Sequence, residues 1–235
     1  YLNRYGFDDE DPLTTDLFIE GFRDRNYIAA SAYAFQGLEA EDDPGTTPYV
    51  APLLQYAVTL APERLPGRLY FDASAVSLYR EDGFDSRRLS THGSWQMPFA
   101  GPAGDLYTLT TQLDLDLYWL NGFREPGQSA GTPSNDGLEA RLHPLMALEW
   151  RFPFVRRDGS VRQVIEPVAQ FILAPYGGNP KEIPNEDSRS LEFDDTNLFS
   201  LNRFPGDDRV ESGPRANLGV KASLFGASGG YTTLT

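Results

Sequence analysis

The chain has 235 residues, a formal net charge of −14, 40% hydrophobic and 13% aromatic residues, and no cysteine. That acidity excludes a nucleic-acid binder, which needs a basic stripe, and the missing cysteine excludes disulfides and thiolate metal sites within these residues. No window approaches the run of about 20 apolar residues that a membrane-spanning helix requires. Strands resolve the low hydrophobic share, because a membrane strand needs apolar residues only at every second position.

At the start, Tyr1-Leu2-Asn3-Arg4 carries neither a basic nor an apolar leader region, and at the end Tyr231-Thr232-Thr233-Leu234-Thr235 breaks off inside an alternating pattern. The expectation is therefore an excerpt of a longer protein. Asp8-Asp9-Glu10-Asp11 and Glu39-Ala40-Glu41-Asp42-Asp43 read as solvated loops. Less regular strands are expected at 14–23, 26–38 and 48–60. The next sets Leu69, Phe71, Ala73, Ala75 and Tyr79 against Arg68, Asp72 and Ser74. Leu89, Thr91, Gly93, Trp95 and Met97 then oppose Arg88, Ser90, His92, Ser94 and Gln96. The clearest strand runs from Tyr107 to Trp119, with Leu109, Leu113, Leu115 and Leu117 on one face and Gln112, Asp114 and Asp116 on the other. Leu138, Ala140, Leu142, Pro144, Met146, Leu148, Trp150 and Phe152 oppose Glu139, Arg141, His143, Glu149 and Arg151. Ile165, Pro167, Ala169, Phe171 and Leu173 oppose Glu166 and Gln170. Ala216, Leu218, Val220, Ala222 and Leu224 oppose Arg215, Asn217, Lys221 and Ser223, and a last strand begins near 230. This period-2 pattern gives about ten strands, and no stretch has a helical period.

Alternation alone also suits a soluble sandwich. Two features favour a membrane. Aromatics gather near strand ends (Tyr79, Trp95, Tyr107, Trp119, Trp150, Phe152), as in the interfacial girdles of outer-membrane barrels. The connections also alternate: short near 24–25, 61–67, 98–104, 153–160 and 226–229, longer near 39–47, 120–137 and 175–211, and intermediate near 80–87. Such barrels keep short turns on one rim and long loops on the other. The expected fold is all-β: an antiparallel transmembrane outer-membrane β-barrel, present as an incomplete segment of about ten strands, with 1–235 part of a single barrel domain. Pro52, Pro144 and Pro167 fall inside strands and mark local irregularity.

By parity the lumen-facing candidates are Arg68, Asp72, His92, Gln96, Gln112, Asp114, Asp116, Glu139, Arg141, His143, Glu149, Arg151, Glu166, Gln170, Arg215 and Lys221. His92 and His143 stand on separate strands and supply too few ligands for zinc. Asp114 and Asp116 read as polar lining rather than a catalytic pair. Nucleophile-elbow, phosphate-loop and zinc-protease motifs are absent, as is calcium-loop spacing. No enzyme activity, metal or cofactor is expected.

Residues 175–211 are too many for a bare connection. The segment mixes Glu186, Asp187, Glu192, Asp194, Asp195, Asp207 and Asp208 with Arg189, Arg203 and Arg209, and carries Leu198, Phe199, Leu201 and Phe204. It is expected to fold back as a plug or lid, either extracellular or inside the lumen, rather than to touch substrate directly. Asp194, Asp195 and Asp208 are the expected partners of Arg203 and Arg209.

This same segment carries a resemblance. Asn185-Glu186-Asp187-Ser188, Phe193-Asp194-Asp195-Thr196-Asn197-Leu198-Phe199, Asn202-Arg203-Phe204 and Gly206 with Asp208-Arg209 closely resemble the LptD family of lipopolysaccharide-assembly proteins, also called organic solvent tolerance proteins. Val164 to Gln170 and Arg215 to Gly219 are similar to the flanking family strands, with weaker likeness at Trp150 to Pro153 and Leu17 to Phe22. The resemblance implies a central part of a very large outer-membrane barrel in a Gram-negative bacterium. It further implies an N-terminal periplasmic domain that takes lipopolysaccharide from the bridge protein LptA, an LptE lipoprotein plugging the lumen, and lateral release of lipopolysaccharide into the outer leaflet. The family's disulfides have no counterpart in a segment without cysteine. A general porin-like channel is the alternative; it accounts for the strands and the loop rhythm but not for residues 184–209.

Overall fold

The computed structural model describes residues 13–37, 42–125, 127–128, 133–188, 197–226 and 230–234. The regular elements among them are all strands: β1 (Leu13–Arg23), β2 (Asn26–Gln36), β3 (Tyr49–Leu60), β4 (Arg68–Tyr79), β5 (Asp85–Ala100), β6 (Leu106–Phe123), β7 (Asn135–Arg151), β8 (Phe154–Asp158), β9 (Val161–Leu173), β10 (Arg215–Phe225) and β11 (Tyr231–Leu234). They form one sheet in the order β1-β2-β3-β4-β5-β6-β7-β9-β10-β11, with β8 also on β9. Nearly every strand thus lies beside its sequence neighbour, and no pairing among the described residues joins β1 to β11, so the sheet is open.

The chain divides into two compact units. The first comprises Tyr1–Val58, Phe71–Thr91 and Leu115–Arg141. Its β1–β2 hairpin pairs without interruption from Leu13↔Gln36 to Arg23↔Asn26. Asp24 bends the two-residue turn at φ 55°, a left-handed conformation that aspartate tolerates better than most residues. Between β2 and β3 the register shifts, Ser31 facing Leu53 and Tyr33 facing Val50. Ala51 and Pro52 together oppose one residue there, a bulge where proline's missing N–H removes a ladder bond. Nearby, the Asp82 amide donates to the Gly45 carbonyl at 2.8 Å and Arg80 Nε to the Thr46 carbonyl at 3.2 Å, tying residues 43–46 to 80–85.

The second unit comprises Thr59–Tyr70, His92–Asp114 and Leu142–Thr235. Arg151 faces Val168 and Phe154 faces Ile165, so β7 and β8 keep a common register across residues 152–153. Pro153 cannot donate, and the Phe152 amide reaches the Pro167 carbonyl at 3.2 Å. β7 and β8 are thus one strand interrupted where Pro153 and Pro167 fall in adjacent cross-strand positions, which reconciles eleven segments with about ten expected strands.

Three connections are shorter than the sequence suggests: 80–84, 101–105 and 124–134 replace 80–87, 98–104 and 120–137. The strands run past their apolar bands into polar rim residues, where side chains continue the bonding. The Gly122 amide, for example, donates to Asp136 Oδ1 at 2.6 Å. The last long connection is slightly longer, 174–214.

Candidate functional site

The two faces of the strands are inverted relative to a soluble sheet. Along β7, Leu138, Leu142, Met146 and Leu148 are exposed, while Arg141, His143, Leu145 and Ala147 are buried; Leu142 is 62% exposed beside His143 at 2%. On β6, Leu113, Leu115 and Trp119 are exposed and Asp116 and Tyr118 buried. On β9 and β10, Phe171, Leu173, Leu218 and Val220 are exposed and Gln170, Ile172 and Asn217 buried. Water penalises such an arrangement, since it leaves apolar side chains wet and takes polar ones out of solvent. A hydrocarbon exterior favours it.

The polar residues settle into cross-strand sets. In the second unit, His92 Nδ1 and Asp114 Oδ1 share a hydrogen bond at 2.5 Å, and Gln112 Nε2 donates to both Asp114 oxygens at 3.0 and 3.2 Å. Arg151 reaches Glu149 at 3.1 Å and Glu166 at 3.6 Å. Asn217 Nδ2 donates to Gln170 Oε1 at 2.8 Å. In the first unit, Arg141 meets Asp116 through Nε at 2.8 Å and NH2 at 2.7 Å, both side chains almost fully buried. Of the remaining candidates, Gln96, Glu139 and Arg215 are partly buried, and Arg68, Asp72 and Lys221 are exposed. The described residues hold no group of three or more His, Cys, Asp or Glu placed to bind a metal ion.

The described residues between β9 and β10, 174–188 and 197–214, contain no strand, yet they are tightly built. Asp187 and Asp208 clasp each other's backbone. Asp208 Oδ2 accepts the amides of Glu186 (2.6 Å) and Asp187 (3.1 Å), and the Asp187 carboxylate accepts those of Asp207 (3.1 Å) and Asp208 (3.0 Å). Ser188 Oγ donates to the Pro205 carbonyl, and Asn185 and Ser188 exchange bonds at 2.8 and 3.0 Å. Asn202 Nδ2 donates to the Arg209 carbonyl at 2.9 Å, while its Oδ1 accepts from Phe204 and Glu211. Asn179 brackets Val210 with two bonds, at 2.8 and 2.9 Å. The base closes where the Gly213 amide meets the Pro175 carbonyl at 2.9 Å.

This loop sits on the polar side of β7, β9 and β10. Leu201 packs on the cluster of Leu145, Ala147 and Ile172. Gln170 Nε2 donates to the Phe199 carbonyl at 3.0 Å. Phe199 closes so tightly on Gly219 that a Cβ there would lie 3.0 Å from its ring. A Cβ on Gly178 would likewise lie 3.2 Å from the His143 ring and 2.6 Å from Val210. A side chain at Gly178 would force Val210 to shift, and one at Gly219 would push the Phe199 ring back by a few tenths of an ångström.

The charge pairing departs from expectation. Arg203 forks onto Glu211, which also lies 3.6 Å from Arg215, and Arg209 NH1 reaches the Ile183 carbonyl at 3.4 Å. Asp208 accepts two backbone amides, and Asp194 and Asp195, with Phe193, lie outside the described residues. Glu211 is close in sequence to Asp207 and Asp208, and the backbone path rather than the spacing selects it. Burial pushes the Glu211 carboxyl up, but the hydrogen bond from Arg203 and the charges of Arg215 and Arg203 outweigh it and hold the group below the usual carboxylate range. Glu211, Asn179, Gly178 and Gly219 are the structural residues the sequence did not single out; Gly219 lies in the quoted family strand, but nothing local marks it as a seat.

Beyond the sheltered face, Asp105 in the turn before β6 takes a bond from Trp150 Nε1 at 3.3 Å, and the Tyr107 hydroxyl leads the interactions that lower its pKa. Trp95 Nε1 donates to the Pro66 carbonyl at 2.8 Å, and Phe99 stacks on Tyr107 at 5.0 Å. Amphipathic aromatics thus cluster beside the short turns, as in an interfacial belt.

The family described as LPS transport system D matches residues 1–235. The chain is 27% identical over 176 residues to the LPS-assembly protein LptD of Aeromonas hydrophila, which covers 68% of this chain and 21% of that protein. It is 35% identical over 102 residues to the LPS-assembly protein LptD of Acinetobacter baylyi (43% and 12% covered) and 30% identical over 148 residues to that of a Polaromonas species (60% and 16%). The chain therefore spans about a fifth or less of the length of these relatives. With the family match running from the first residue to the last, the chain belongs to the LptD family.

Proposed function

We propose that this chain is a stretch of barrel wall in an outer-membrane translocon that inserts lipopolysaccharide into the outer leaflet of a Gram-negative cell, without covalent chemistry. The observation that carries this reading is the pairing of an apolar, exposed strand face with a polar face over which a folded loop is seated. A passive channel shares the two faces but has to leave its polar side open to solute. A translocon for an amphiphile also has to keep its polar interior closed while acyl chains travel along an apolar path, and a braced loop serves as that plug or lid. The polar sets at His92–Asp114, Asp116–Arg141 and Gln170–Asn217 then line the lumen and tune its solvation. The relatives' name supports lipopolysaccharide as the cargo. An LptE-like lipoprotein in the lumen and an LptA-like bridge docking on an N-terminal domain complete the machine.

Depletion of the full-length protein tests this. Surface lipopolysaccharide should fall, and unchanged surface lipopolysaccharide would sink the proposal. Planar-bilayer conductance graded by solute size, without a lipoprotein partner, would instead favour a general porin.

A further inference from the structure

The β8–β9 hairpin sets two like charges against each other. Arg157 pairs directly with Arg162, so their side chains stand on one side of the sheet with Cβ atoms about 5 Å apart. Like charges in that relation weaken a strand pair unless an anion lies between them. Both arginines are exposed, and neither has an ion-pair partner among the described residues. Asp158, the acid next to Arg157, falls on the other side by parity and meets Arg156 at 3.4 Å.

Neighbouring strands extend the pair into a row. Arg162 faces Phe225 on β10, its guanidinium 4.5 Å from the ring centroid, a cation–π contact that holds it in place. Phe225 in turn faces Tyr231 on β11 and stacks on it at 6.3 Å. By parity the row lies on the polar side of the wall, the side of Gln170 and Asn217, beside the short turns after β8 and β10. The next cations along that side are balanced: Arg151 by Glu149 and Glu166, while Lys221 faces Glu166. Against Phe225 lies a hollow of about 250 Å³, lined also by Arg151, Val164, Glu166, Lys221 and Ser223. An unbalanced cationic pair in a chain of net charge −14 selects an anion. A membrane lipid has no access, because the exposed apolar residues Phe154 and Ile165 are on the opposite face. A carboxylate is matched by the fork of one arginine, whereas a tetrahedral phosphate can accept from two at once. The adjoining rings offer apolar faces on which the C–H face of a sugar can stack.

We propose that this row is a binding site for a phosphorylated sugar, the head of a lipopolysaccharide molecule arriving at the short-turn end of the lumen side. One phosphate bridges Arg157 and Arg162, and the sugar ring lies in the hollow against Phe225. The proposal rests on lipopolysaccharide as the cargo.

The test uses the full-length protein containing this chain, purified in detergent, with p-benzoylphenylalanine at Thr233, which faces Ser223 beside the hollow. It is photolysed with diphosphoryl lipid A or with the same lipid stripped of its phosphates, and the lipid adduct is quantified by mass spectrometry. The otherwise unchanged protein should capture the phosphorylated form about tenfold more, the scale of one charge-assisted contact. Arg157→Gln with Arg162→Gln should bring the two yields together, and Arg157→Lys with Arg162→Lys should keep part of the difference. Arg64→Gln, in the turn after β3, should leave it whole. Heat-modifiable migration in gels checks that each variant is folded. Equal capture of both lipids, an undiminished difference in the double glutamine variant or an equal loss in Arg64→Gln overturns the site. So does full competition by inorganic phosphate at the lipid's own concentration. Capture of a protein instead of lipid on photolysis in cells also overturns it, assigning the row to an acidic protein segment. Unchanged surface lipopolysaccharide on depletion would sink the cargo reading itself, a separate outcome.

Discussion

The β1–β2 and β9–β10 hairpins are the same ladder with different closures. Each pairs eleven residues in an unbroken antiparallel register. Two residues close the first; β1 stays exposed at nearly every position on both faces, and β2 is half-buried at most positions, with Ala29 its one buried residue. Residues 174–214 close the second and cover its polar side, burying Gln170, Ile172 and Asn217. Strand pairing therefore does not decide which part of the wall is covered. The cover comes from the connection, and the strand accommodates it with Gly219, where the first hairpin has no equivalent need.

The largest way to break this comparison is Asp208→Ala. It strips the acceptor from two amides inside the loop, each a bond to a charged group, and should cost the loop about 3–5 kcal/mol. Limited proteolysis should then cut between residues 180 and 210 rapidly while the hairpin strands stay protected; an unchanged cutting rate would refute the clasp. Next come Leu17→Lys and Leu218→Lys, one on each hairpin. If both outer faces meet hydrocarbon, each should lose about 2–4 kcal/mol in denaturant titrations of the folded barrel, whereas a soluble sheet would tolerate both. Gly219→Leu should cost about 1–3 kcal/mol by overpacking against Phe199, read as faster loop proteolysis, with no matching effect from Gly21→Leu on β1. The smallest effect is in acid. Glu211 has a folded-state pKa below its unfolded value, so its contribution is present above the ordinary carboxylate pKa and disappears as pH falls through the depressed one. Loop protection should decline only in that acidic window, and Glu211→Gln should remove the pH dependence.

The strands were legible because a period of two survives in the sequence wherever one face meets apolar surroundings, as Leu138 to Trp150 shows. The Pro52 irregularity was legible for a similar reason, since proline removes a donor wherever it falls. Strand ends were less so: Leu120 to Phe123 belongs to β6 although its apolar alternation has ended. The loop's interior was least legible. Asn179 meets Val210 across 31 residues, and Asp187 and Asp208 accept each other's backbone amides, choices that depend on a backbone path that local spacing does not encode.

The sheet order carries a consequence for the sequence of events in assembly. Because strands pair with their chain neighbours, each hairpin can zip as soon as its second strand is available, at little loop-closure cost. The 174–214 loop is different. Its seat includes Gly219 on β10, which follows it in the chain. The loop can rest on β7 and β9 beforehand, but its seat is complete only once β10 has paired with β9, so this part of the wall is fully covered only when β10 is in place.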